Sequence, residues 1–162
     1  MLIKLRHIMK NILSSTFTLQ SRLVMIGWVT LICLPFWEYM PTVVMAIVLI
    51  ISAVYAYFIL FGRRFDDADA RQPNFKDFAS LSGVVKLFTN RRAALAGWLH
   101  YLAFDLLIGF FIVLDSQHHD ISHVMILPIL FLSLMIGPAG LVAYFIFRAL
   151  YTGNFIDLSW ML

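Results

Sequence analysis

A chain of 162 residues with 62% hydrophobic and 13% charged side chains exceeds the apolar share of soluble domains, about 45–50%. A single small domain exposes too much of its surface to hide that excess, so lipid must be the solvent for most of the chain. The net charge of +3 is modest, with no nucleic-acid partner expected, and the one cysteine, Cys33, excludes both an internal disulfide framework and a cysteine zinc cluster.

In chain order, Leu2, Leu5, Ile8, Met9, Ile12 and Leu13 recur at helical spacing with Lys4, Arg6, Lys10 and Asn11 between them. Residues 1–16 therefore read as a basic amphipathic helix on the inner leaflet. A cleaved signal peptide is the rival, but no small-x-small cleavage pattern follows the first apolar run. Four stretches then approach the length of about 20 mainly apolar residues that a spanning helix needs. They cover residues 23–37, 42–61, 93–114 and 124–147. The first is short, and residues 17–20 complete it, with Arg22 snorkelling to the headgroups. These stretches predict an all-α membrane protein with four transmembrane helices in two antiparallel hairpins, 17–62 and 93–148, within one membrane domain. A cytoplasmic linker, 63–92, joins the hairpins, and a tail, 149–162, follows. In the linker, after Pro73, the residues Phe75, Phe78, Leu81, Val84, Val85, Leu87 and Phe88 make a second amphipathic pattern, weakened by Gly83. It reads as a connector with a membrane-facing stripe, with an active-site lid as the rival.

The basic residues orient the chain. Lys4, Arg6, Lys10 and Arg22 precede the first span; Arg63, Arg64, Arg71, Lys76, Lys86, Arg91 and Arg92 lie between the second and third; Arg148 follows the fourth. The connections 38–41 and 115–123 carry none of the 12. By the positive-inside rule the N-terminus, the linker and the C-terminus are all cytoplasmic.

Trp98, His100, Tyr101 and Asp105 interrupt an otherwise apolar third span. A carboxylate at mid-membrane costs about 2.5–3.5 kcal/mol on insertion scales, so Asp105 must face protein or water, be neutral, or be paired. Tyr101 and Asp105, four apart, can meet directly. The fourth span is interrupted at a matching depth by Gly137-Pro138-Ala139-Gly140. Pro138 lacks an amide hydrogen, which leaves the Leu134 carbonyl without its helical partner and within reach of a protonated Asp105. Asp105, His100 and Tyr101 are thus the candidate catalytic set, and Trp98, Phe104, Pro138 and Gly137 the candidate substrate-binding set. The bland alternative is that the polar groups fix helix packing. His118, His119, Asp120 and His123 on the outer loop admit a metal, although a short loop needs polar residues anyway; no metal and no cofactor is assigned.

The run Trp98-Leu99-His100-Tyr101-Leu102-Ala103-Phe104-Asp105-Leu106, followed by Gly109, Asp115, Pro128 and Gly137-Pro138-Ala139-Gly140, resembles the abscisic-acid-deficient-four-like family. So does the upstream stretch with Leu87-Phe88 and Ala93-Ala94-Leu95-Ala96-Gly97-Trp98. The resemblance implies a four-helix membrane protein tied to xanthophyll chemistry; plant members, related to neoxanthin synthase, are needed for neoxanthin and for cis-isomers of epoxy-xanthophylls. With a short basic helix in place of a plastid transit peptide, the chain reads as a bacterial-type member in an inner membrane. Three hypotheses compete: a carotenoid or isoprenoid isomerase, a non-catalytic pigment- or lipid-binding or accessory subunit, and a proton pathway, ranked last. The partners expected are membrane lipid, a carotenoid or isoprenoid ligand, and further copies or a larger membrane complex.

Overall fold

The structure, a computed structural model, describes the backbone of residues 2–66, 72 and 74–153, and the side chains of those from residue 11 onward, Phe75 excepted. Among the described residues there are six α-helices: α1 (Leu2–Cys33), α2 (Met40–Phe61), α3 (Leu81–Leu87), α4 (Arg91–His118), α5 (His123–Met135) and α6 (Gly137–Thr152). Two 3-10 turns, Gly62–Phe65 and Phe75–Ala79, lie in the connector between α2 and α4, and no strand occurs among the described residues. Local chemistry sets the boundaries. Pro35 bars Leu34 from helical geometry, so α1 stops at Cys33. Pro41 occupies the first turn of α2, where its missing donor is not needed. Asn90 caps α4 by accepting the Ala93 amide at 3.0 Å. Past the end of α4, Asp120 takes the left-handed conformation (φ 53°) that closes many helix C-termini.

Among the described residues, three helical stretches are long and apolar enough to cross a membrane: Asn11–Cys33, Met40–Phe65 and Arg91–His118. Residues 2–33 form one helix, which runs without interruption from the segment expected on the leaflet into the first span. The hydrophobic face proposed for Leu2, Leu5, Ile8 and Met9 lies outside the described side chains.

The fourth span differs from expectation. Residues 124–147 form two helices, with Ile136 (φ −148°, ψ 77°) as the break. The Gly137 and Asp105 backbones and side chain adjoin, the Phe111 and Phe145 rings lie 6.0 Å apart, and Tyr144 and Arg148 both bond Asp115. Ascending α4 from residue 105 to 115 therefore matches ascending α6 from 137 to 148, so these two segments run parallel. The intervening α5 must run the other way, and α5–α6 is a helical hairpin that turns back at Ile136. Pro138 consequently kinks nothing: it lies in the first turn of α6, the place a helix accepts proline best. A β-carbon on Gly140 would stand 2.5 Å from the Ser133 Cα, so the hairpin closes only because that residue has none.

The chain divides into two units, Met1–Leu23 with Leu49–Leu102 and Val24–Val48 with Ala103–Leu162. The second is built on fully buried Trp28, Leu31, Val44, Leu106, Ile112, Ile126 and Leu130. There Gln117 donates to the Pro35 carbonyl at 2.7 Å and His123 Nε2 lies 3.0 Å from the Ile32 carbonyl, tying the α4–α5 corner to the turn after α1.

Candidate ligand cavity and buried carboxylates

In the first unit a cavity of about 470 Å³ is bounded by α2, the connector and the start of α4. Its walls are largely apolar: Ile59, Phe78, Leu87, Phe88, Ala93, Ala96 and Gly97. Its polar groups are few: Tyr55, Arg63, Asn74, Arg92 and His100. The His100 and Tyr55 rings lie 5.7 Å apart. Arg92 is a wall rather than a reagent. Its Nε and Nη2 grip both oxygens of Asp66 at 2.8 and 3.0 Å, and its Nη1 donates to the Phe58 carbonyl at 2.9 Å. Asn90 adds a bond to Asp66 at 3.2 Å. Such a fork fixes the geometry of a guanidinium. Arg63 is exposed and makes no ion pair among the described residues. A mostly apolar cavity with a few convergent polar groups is the usual form of a small-molecule site.

Of the seven candidate catalytic and substrate-binding residues, only His100 lines this cavity. Trp98 donates to the Ser21 hydroxyl at 3.1 Å, stacks on Tyr101 at 5.4 Å and touches the Phe17 ring at 5.5 Å, making an aromatic cluster of its own within the same unit. The remaining four belong to the second unit. Phe104 is 53% exposed, whereas Asp105 is buried. The Asp105 carboxylate lies against Gly137, so closely that a methyl group there would collide with it. Gly137 and Pro138 open α6, and the N-terminal end of a helix is where negative charge is best received. Asp105 thus meets the start of α6 rather than a carbonyl orphaned by a kink. The outer-loop histidines are used in packing contacts: His119 Nδ1 lies 2.8 Å from the Asp115 carbonyl, His123 bonds Ile32 as above, and no group of three or more metal-ligating side chains occurs among the described residues.

A second carboxylate, not singled out from the sequence as a site residue, is the more deeply embedded. Asp115 and Arg148 are both fully buried. Arg148 Nη1 is 2.8 Å from each Asp115 oxygen, Tyr144 donates its hydroxyl to Asp115 at 2.5 Å, and the guanidinium lies 4.8 Å from the Phe145 ring centre. The available signal was the position of Arg148 inside an apolar run, Phe145-Ile146-Phe147-Arg148-Ala149-Leu150, where a basic residue needs a partner.

Helices without strands among the described residues, three stretches long and apolar enough to cross a membrane, a returning helical hairpin and a largely apolar cavity holding one imidazole define the class. A family model described as ABA DEFICIENT 4-like matches residues 15–144, and the chain belongs to that family. No curated protein and no solved structure matches it.

Proposed function

We propose that the protein binds a carotenoid or other isoprenoid polyene in the cavity of the first unit and isomerises it within the bilayer. The observation that carries this reading is His100, an imidazole among the few polar groups of a largely apolar cavity, on a helix long and apolar enough to cross a membrane. Family membership and the membrane-crossing helices are compatible with a carotenoid-related protein. In the proposed step, the His100 imidazolium gives its proton to a carbon of the conjugated chain. The resulting cation is delocalised, which lowers the order of neighbouring double bonds and permits rotation. The imidazole then takes the proton back, so the reaction is redox-neutral and needs no co-reactant. An epoxide oxygen is the alternative acceptor in an epoxy-xanthophyll. Phe78 and Phe88 supply stacking faces, and Tyr55 holds the imidazole side of the cavity. Asp105, Gly137 and Pro138 act in this reading by setting the α5–α6 turn, and Trp98, Tyr101 and Phe104 by presenting aromatic surface to lipid or ligand.

A non-catalytic pigment-binding or accessory role is favoured by the packing position of Asp105 against Gly137. One experiment separates the two. Protein purified in mild detergent from a pigment-producing host carries a three-banded visible spectrum, and its pigment is analysed by chromatography. General acid–base groups contribute about 10²–10⁴ in rate, so His100→Gln keeps the bound pigment while isomer formation falls by about that factor. Unchanged isomer formation in His100→Gln sinks the catalytic reading; loss of colour with normal folding points to ligand binding through His100 alone.

The orientation belongs to the same proposal. Lys4, Arg6, Lys10 and Arg22 in the first part of α1, and the basic residues from the end of α2 to the start of α4, favour a cytoplasmic N-terminus and connector in a bacterial inner membrane.

A further inference from the structure

The connector carries a feature that polyene turnover does not require. Phe78, Leu81, Val85 and Phe88 are 64%, 81%, 60% and 51% exposed. Leu81, Val85 and Phe88, spaced four and three residues apart, come to one side of α3, and Phe78 is exposed on the turn that precedes it. The opposite side is committed to the protein: Asp77, Gly83 and Leu87 are buried, and the Gly83 backbone lies against the Asp77 carbonyl, leaving no room for a side chain. The segment is held in this pose by a reciprocal cap, in which Asn74 and Asp77 each bond the other's end of the turn, and by Ser80, which accepts the Gly83 amide at 3.1 Å. The apolar stripe is therefore presented by a folded element rather than left over on a loose loop.

Among the described residues, the exposed charges of the connector are basic. Lys76, Lys86 and Arg91 are exposed beside the stripe, and Arg63 and Arg64 are exposed on the neighbouring turn. The described acidic groups of the connector are withdrawn: Asp77 accepts the Asn74 amide at 3.0 Å, and Asp66 holds Arg92. Lysine stems lie along apolar surface while their ammonium groups reach outward to headgroups, and basic residues beside an apolar helix face are the pattern of interfacial binding to anionic lipid. In sequence the element connects two helices long and apolar enough to cross a membrane, α2 and α4.

We propose that the exposed face of the Phe75–Ala79 turn and α3 is a docking surface for an anionic phospholipid leaflet. Phe78 and Phe88 belong both to this face and to the cavity wall, so docking seats the cavity mouth among the lipids, where a membrane-dissolved ligand enters sideways. The surface stands whether or not the cavity turns over a polyene.

The test uses the full chain in nanodiscs of phosphatidylcholine, with or without phosphatidylglycerol. An environment-sensitive fluorophore is attached at Leu81→Cys in a Cys33→Ser background. The expected result is blue-shifted emission, quenching by spin-labelled lipid rather than by aqueous iodide, and a larger docked fraction when phosphatidylglycerol is present. One basic side chain near an anionic surface contributes about 1 kcal/mol. Lys86→Gln should therefore lower the docked-to-undocked ratio about fivefold in phosphatidylglycerol discs and leave the ratio in phosphatidylcholine discs unchanged. Water-like emission quenched by iodide in both discs overturns the docking surface, and lipid quenching indifferent to phosphatidylglycerol overturns its anionic selectivity. Because Lys86 and Leu81 do not line the cavity, a docked label together with unchanged isomer formation in His100→Gln would reject the polyene reading alone.

Discussion

At the scale of single residues, the Asp115–Arg148 pair dominates the second unit. Both side chains are wholly buried, and Tyr144 completes the carboxylate's bonding. Removing one partner of a buried pair strands the other charge and costs about 3–5 kcal/mol, while replacing both by apolar groups of similar volume is often neutral. Asp115→Asn should thus lower the unfolding free energy by about 3–5 kcal/mol, read from tryptophan fluorescence during titration with a denaturing detergent. The double variant Asp115→Leu with Arg148→Met should lose much less than the sum of its single variants. Additive losses would mean that the two residues act independently and that the pair does not hold α6 against α4. Tyr144→Phe removes one hydrogen bond to a charged group and should cost about 1.5–3 kcal/mol.

At the scale of elements, the α5–α6 hairpin rests on the approach of two backbones. A β-carbon at Gly140 would meet the Ser133 Cα, Cβ and amide nitrogen at 2.5–2.7 Å, and backbone cannot swing aside as a flexible side chain does. Overpacking a close contact costs about 1–3 kcal/mol, so Gly140→Ala should destabilise by at least the upper part of that range in the same detergent titration. At Gly97, by contrast, a methyl would meet only the Phe88 ring, and Gly97→Ala should be milder. Equal effects at both sites would remove the distinction. This hairpin also marks where sequence reading reached its limit. The long apolar runs, the break near Gly137-Pro138 and its nearness to Asp105 were legible, because hydropathy and proline chemistry are local. The direction taken after the break was not, because a kinked helix and a returning hairpin have the same apolar pattern. The deciding contact joins Asp115 to Arg148, 33 residues apart, and no local period encodes it. His100 was legible as a polar group in an apolar helix. Its separation from Asp105 by five residues, a turn of about 140° on a helical wheel, was the available sign that the two leave α4 on different sides.

At the scale of the whole molecule, the returning hairpin changes the expected topology. Arg148 was counted among the cytoplasmic flanking charges, but it is spent on Asp115 and cannot orient a loop. Without it, no basic residue follows α6 in the sequence, and the positive-inside rule is silent there. Geometry is not silent. With 13 residues α5 is about 20 Å long, short of the hydrocarbon core of about 30 Å. Since α6 runs parallel to the last part of α4, its C-terminal end lies beside the end of α4. On the proposed orientation, with a cytoplasmic connector, α4 and α6 would both end towards the far face, which predicts an extracytoplasmic location for a reporter fused after α6. Alkaline phosphatase fused after Leu162 should then be active and green fluorescent protein fused there dark, while the same reporters inserted between residues 71 and 72 should give the opposite pair. A fluorescent C-terminal fusion would mean that α6 crosses to the cytoplasmic face, which requires the Asp115–Arg148 pair to open in the membrane. Destabilisation by Asp115→Asn would tell whether that pair exists in the same sample, so orientation and pairing are decided separately.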